Sequence, residues 1–224
     1  MSLQQRLLEY GLYLRGITAV TAEEVETYQF PVEQDSIALV GNIGSSYWQA
    51  FSHSQEYGDG IPDPLDRWSA RVANEISQEF AVTPIFPFEG PPYYPFQRWA
   101  GRAETLMQSP IGVMMHPEHG LWHSYRFALL GEQFEYELPQ DTESPCLLCE
   151  DQPCLHRCPV DALDALSYDV DLCADYLIHT PQAACHETGC IARYACPVAP
   201  QYRYLPEQGQ FHLRAFLGAR LRTN

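Results

Sequence analysis

The sequence predicts an α/β (α+β) layered domain followed by a small cysteine-rich module. Three observations carry that expectation. Strand-like apolar runs alternate with helical stripes as far as Leu130. All eight cysteines fall between Cys146 and Cys196. An acidic, irregular stretch, 132–144, lies between the two regions and reads as a linker. The expected divisions are 1–140 for the layered domain, 141–200 for the cysteine module, and 201–224 for a tail with a short helix. A chain of 224 residues fits one domain, or a domain with a small appendage.

The elements follow from spacing. Leu3, Leu7, Leu8 and Leu12 recur at helical intervals, giving a helix to about Tyr13. The runs 16–20 and 36–40 read as strands, and Tyr47-Trp48-Gln49-Ala50-Phe51 opens a helix. The glycines of 41–46 do not match a dinucleotide fingerprint. Asp63-Pro64 supplies a cap and a first-turn proline. Leu65, Trp68, Val72, Ile76 and Phe80 then make one apolar stripe, read as core. A strand is expected over 82–88, a helix over 96–108, a turn at 116–120 and a strand over 121–130. A short Arg-rich helix closes the chain over 211–221.

Composition excludes several kinds of chemistry. Thirteen basic residues stand against 29 acidic ones, a net charge of −16, and all thirteen are arginine. Without lysine there is no P-loop lysine, Schiff-base lysine or lysine general base. The acidic balance, with no arginine cluster to predict a basic groove, argues against a nucleic-acid partner. The start, MSLQQRLLEYGL, lacks the features of a secretion signal, and no stretch is apolar enough to span a bilayer. The expected location is cytoplasmic, with reduced thiols and no membrane partner. Thiols grouped in a reducing compartment point to metal binding.

The cysteine spacing narrows the metal. The first run is Cys146-x2-Cys149-x4-Cys154-x3-Cys158-Pro159; the second is Cys173, then Cys185-x4-Cys190-x5-Cys196-Pro197. Two Cys-Pro endings are the layout of a two-cluster ferredoxin, in which the last cysteine of each run serves the other cluster. A cubane has four iron corners; a tight loop reaches three, and the fourth thiolate comes from elsewhere. That crossing puts Cys146, Cys149, Cys154 and Cys196 on one [4Fe–4S] cluster. Cys158, Cys173, Cys185 and Cys190 hold the other. The x4 gap after Cys149 and the missing Cys-x2-Cys in the second run depart from the usual pattern. Structural zinc is the alternative, since four thiolates also suit tetrahedral Zn²⁺. His156, His179 and His186 lie among the thiols and read as bystanders, with His186 a substitute for Cys185.

The motif CLLCEDQPCLHRCPVDAL, then DVDLC, then GCIARYACP, resembles the cluster module of epoxyqueuosine reductase. RWAGRAETLMQSPIGVMMHPEHGLWHSYRFALLG resembles that family's helix and HP-x-x-G-x-W turn. The same turn, preceded by PDPLDRWSARVANEI, is also similar to the cblC-type cobalamin-processing protein. The resemblance implies a nitroreductase-like domain that holds cobalamin near His116, Pro117, Gly120 and Trp122. It implies a ferredoxin-like module whose clusters deliver electrons to cobalt. The region matching the family's proton donor reads FEGPPYYPFQRW, where Glu89 is the only carboxylate; Tyr93, Tyr94 and Tyr125 are further proton-donor candidates. FMN is the alternative cofactor, because the fold class is shared with flavin enzymes.

The expectation is an iron–sulfur oxidoreductase that reduces a corrinoid, or uses one to reduce a small substrate, fed by a redox partner protein. An electron carrier without cobalamin and a zinc-stabilised binding protein are the alternatives.

Overall fold

The computed structural model describes residues 1–223 apart from 133, 136–138, 141 and 166. The linker expected over 132–144 lies partly outside the described residues. Two compact units form: Met1–Thr105 with His123–Asp141, and Leu106–Trp122 with Thr142–Asn224. The segment Leu106–Trp122, upstream of the expected division at 140, packs with the cysteines.

In chain order the elements before the second unit are α1 (Leu3–Leu8), β1 (Tyr13–Ala19), α2 (Ala22–Tyr28), β2 (Ser36–Ile43), α3 (Trp48–Ser52), α4 (Gln55–Gly58), α5 (Pro64–Phe80), β3 (Thr83–Ile85) and α6 (Phe96–Ala103). The hairpin β4 (Met107–Gln108) and β5 (Met114–Met115) belongs to the second unit, and β6 (His123–Gly131) returns to the first. The main sheet runs β1-β2-β6-β3 with every pair antiparallel. The architecture is therefore α+β.

The centre of the sheet is β2. Ile37, Ala38, Leu39 and Val40 are all fully buried, so both faces are covered. Helix α5 packs on β3 and β6, and α6 on β1 and β2. The α5 stripe buries Leu65, Trp68, Val72 and Ile76, as its spacing predicts. β3 stops at Ile85, short of the expected 88. It pairs only with β6, and an edge strand tolerates Pro84.

Helix α6 ends at Ala103, not 108, because a buried ion pair competes for the chain. Glu104 turns extended and meets Arg15 in a two-point contact, Nε–Oε1 at 2.9 Å and Nη2–Oε2 at 3.1 Å. The Arg15 Nη1 also donates to the Asn42 carbonyl at 2.9 Å, and the Tyr125 hydroxyl donates to Glu104. Burial pushes the Glu104 carboxyl up, against the pull of Arg15 and Tyr125. A bare carboxylate here would be costly; Arg15 and Tyr125 make it tolerable.

A second carboxylate organises the start of α2. The Thr21 hydroxyl accepts the Glu24 N–H and the Glu24 carboxylate accepts the Thr21 N–H, a reciprocal cap. The same carboxylate accepts the Trp99 indole N–H at 2.7 Å and the Arg102 guanidinium at 3.0 Å. Burial opposes its ionisation, but Arg102, Thr21 and Trp99 outweigh that and hold it below its ordinary 4.5. A depressed carboxyl stabilises the fold above its unfolded value, and that contribution is lost as pH falls through the folded value. Glu24→Gln is therefore expected to lower unfolding free energy by about 1–3 kcal/mol at neutral pH. Urea unfolding from pH 7 to pH 3 should show the gap between variant and parent closing once pH drops below 4.5.

Candidate metal centre

The second unit is built from short pieces around thiols. After β5 the chain turns tightly at 116–120, where His116 and Gly120 exchange both backbone hydrogen bonds at 2.9 Å. Beyond Trp122 and the first unit's β6, it continues with a 3-10 turn (Pro153–Leu155), α7 (Val170–His179), α8 (Cys185–Thr188), α9 (Ile191–Tyr194), a second 3-10 turn (Pro200–Tyr202) and α10 (Pro206–Thr223). Asp169 caps α7, its side chain accepting the Leu172 N–H at 2.8 Å. α10 is longer than the expected 211–221 because Pro206 opens it a turn earlier. It crosses α8 so closely that a Cβ on Gly209 would lie 2.0 Å from the Thr188 carbonyl oxygen.

The eight thiols divide into two sets. Cys146, Cys149, Cys154 and Cys196 line one small cavity, with Met115 and Leu121 in its wall. Cys158, Cys173, Cys185 and Cys190 line a second, of about 200 Å³. Cys196 ends the second run yet faces the first set, and Cys158 ends the first run yet faces the second. All eight are free thiols.

Burial pushes up the thiols of Cys146, Cys154, Cys173, Cys185 and Cys196. Negative charge on neighbouring thiols adds to it: Cys196, Cys146 and Cys149 act on Cys154, and Cys190, Cys173 and Cys158 act on Cys185. Donors oppose the trend. The Ala162 N–H donates to Cys158 Sγ at 3.3 Å, the Ile191 N–H to Cys185, and the Val198 N–H to Cys196. The Tyr168 hydroxyl donates to Cys173. A pocket of mutually repelling, partly solvated thiolates with convergent donors suits a cationic iron or zinc group.

Two readings of the metal differ in geometry. Zinc requires four sulfurs about 2.3 Å from one point. Among the described residues, no group of three or more His, Cys, Asp or Glu side chains converges to hold one ion. The sulfurs line two cavities in fours, a donor set that suits either tetrahedral zinc or the corners of a cubane.

The histidines stand apart from the thiols. His156 is exposed; His179 Nδ1 lies 2.8 Å from the Asp175 carbonyl, and His186 Nε2 lies 3.1 Å from the Leu177 carbonyl. Neither cavity is lined by any of the three.

The turn residues face into their own unit. The His116 Nδ1 accepts the N–H groups of Glu118 and His119 at 3.1 and 3.3 Å, so it caps the turn. Gly120 has φ +60°, and the side a Cβ would take lies 2.6 Å from the Val198 carbonyl oxygen. Trp122 is 2% exposed; it lines the second thiol cavity and contacts Tyr194 and Tyr204 edge-on. Arg193 lies over its ring at 5.0 Å. Gly120 and Trp122 are buried within their own unit, while His116 and Pro117 of the same turn are half-buried.

Glu89 and Tyr93 lie exposed on the 88–93 loop of the first unit. Tyr94 packs against Tyr28 at 4.9 Å, and Tyr125 is committed to Glu104. Spacing did not single out Tyr168, Trp122 or Gly209 as parts of the thiol site. A tyrosine five residues before an isolated cysteine has no recognisable periodicity.

In the metal-free protein, alkylation should follow burial. Cys190, the exposed thiol, is expected to react with iodoacetamide first, and Cys154, Cys185 and Cys196 last. Timed labelling with peptide mass spectrometry reads the order; fast labelling of Cys154 would contradict the packing described.

No family model matches the chain, and no curated protein matches it. Among the described residues no helix is long and apolar enough to cross a membrane. The chain is similar to a crystal structure of epoxyqueuosine reductase with an epoxyqueuosine-modified tRNA-Tyr stem loop. Identity is 16%, the TM-score is 0.48, and the match covers 92% of this chain and 70% of that one. That structure holds an RNA stem loop, contrary to the expectation that a nucleic-acid partner is unlikely. The described likeness is thus to a reductase seen with its RNA stem loop.

Proposed function

We propose that this chain is an iron–sulfur oxidoreductase whose cysteine unit holds two [4Fe–4S] clusters. The observation that carries the reading is the crossed division of eight thiols into two cavities of four. When bound, such clusters supply one-electron transfer. The chain's own part is to hold thiolates apart by fours, to exclude water with Met115, Leu121, Leu163 and Trp122, and to aim donors at sulfur. Donors to the sulfurs favour the more negative, reduced state. Corrinoid reduction, which the family resemblance implies, would draw on the turn of His116, Pro117, Gly120 and Trp122.

Anaerobic purification should yield about eight irons and eight sulfides per chain, with reduced-cluster signals by electron paramagnetic resonance. Zinc without acid-labile sulfide would overturn the reading and favour a structural metal. The crossing has its own test. Cys196→Ser and Cys149→Ser should remove the same signal, although 47 positions separate them in a 224-residue chain. Cys158→Ser and Cys190→Ser should remove the other.

Tyr168→Phe deletes one donor to Cys173 without removing a thiol. It is expected to leave iron content unchanged and to lower one reduction potential. The reduction equilibrium should fall by roughly threefold to tenfold, where tenfold is 59 mV for one electron. Potentiometric titration followed by paramagnetic resonance reads the shift.

A further inference from the structure

Outside the thiol cavities, α7 and α10 leave an open groove of about 580 Å³. Its floor is Leu177, Leu213 and Leu217, and its lips carry Ile178 and Leu221, which are 39% and 64% exposed. Apolar side chains are seldom left exposed together on a surface without a partner. Two further observations give the groove a direction and a sign.

The direction is toward the second thiol set. Leu177 and Leu213 line the groove on one side and the cavity of Cys158, Cys173, Cys185 and Cys190 on the other. Leu177 and Cys185 belong to one buried cluster, with Cys173 and Leu213 packed against it. A single layer of side chains therefore separates the groove from two of the thiols.

The sign is positive. The charged or titratable groups in the groove wall are Arg214 and His186; none of its lining residues is a carboxylate. At the end of the helix pair Arg220 reaches Asp171 of α7. This sits on a chain of net charge −16, so the groove is a local exception to the surrounding field. An apolar floor with a cationic rim fits a protein with an apolar contact patch ringed by carboxylates. One arginine among leucines is a poor match for a phosphate backbone, which requires a row of cations.

We propose that the α7–α10 groove is the docking surface for a small acidic electron-transfer protein. The inference rests on the two-cluster reading and names its donor. Cys158, Cys173, Cys185 and Cys190 would hold the accepting cluster, which would gain the one electron that the reduced partner loses, with no bond formed or broken. Leu177 and Leu213 are the intervening wall, and Arg214 steers the encounter.

The test uses the full chain with an acidic plant-type [2Fe–2S] ferredoxin as probe, and basic cytochrome c as its opposite. Binding by calorimetry and reduction by stopped flow are measured for the parent, Arg214→Glu, Ile178→Ser and Arg222→Glu. Arg222 lies on the same helix outside the groove wall. Arg214→Glu is expected to weaken ferredoxin binding and slow its electron transfer by on the order of tenfold at low ionic strength, with the gap shrinking as salt rises. Ile178→Ser should weaken binding at all salt concentrations, and Arg222→Glu should act much less than Arg214→Glu. Dithionite reduction, which requires no docking, should be equal in all four. Unchanged ferredoxin binding in both groove variants would sink the proposal. So would tighter binding of cytochrome c, or competition for the groove by a tRNA stem loop. Iron and sulfide analysis separates the two ideas: zinc-loaded chain that still binds ferredoxin through Arg214 keeps the surface and removes the relay.

Discussion

Packing four thiols around one small space is the constraint on which the cysteine unit depends. Burial alone drives thiols toward the neutral form, and each neighbouring thiolate makes ionisation harder. A metal group reverses that balance, because positive charge favours all four thiolates together. The rest of the unit follows from keeping two such spaces closed. The Cys-Pro corners send Ala162 and Val198 back toward sulfur. Gly209 lets α10 lie against Thr188 and Gly189, covering the second space. The hairpin of β4 and β5 brings Met115 to wall the first. A metal group bound by these thiols would link its own binding to the folding of the unit, because the ligands must be deprotonated to form.

The first unit depends on nothing of the kind. Its centre is β2, buried on both faces, and its polar interior is solved by pairing. Arg15 with Glu104, and Glu24 with Trp99 and Arg102, join elements far apart in sequence. These contacts set where helices stop. α6 gives up five expected residues so that Glu104 can turn inward, a case of tertiary pairing overriding local propensity.

Much of this was legible from spacing, and the misses have physical reasons. The α5 stripe and the β2 run announce themselves because their burial is one-sided or complete. α2 was overlooked although Thr21-x-x-Glu24 is a capping signature; seven residues carry too little periodicity to be seen. The short helices α8 and α9 are set by the thiols they present, not by an apolar stripe. The Cys-Pro endings mark where each run turns away, and the thiols line two cavities in the same fours that this spacing suggests. The inward orientation of Gly120 and Trp122 could not be read, since a turn motif says nothing about which side of it is filled.

The crossed thiols also order the work of the ribosome. The second set spans 158–190 and lies wholly inside the 146–196 span of the first. As the chain emerges, three cysteines of the first set appear early and then wait. The inner set is complete when Cys190 has left the exit tunnel, while the outer set stays one ligand short until Cys196 follows. The inner four thiols are therefore all available before the outer four, and Cys196 completes the outer set last. A message truncated between those two codons would yield a chain with one complete ligand set and a three-thiol remnant.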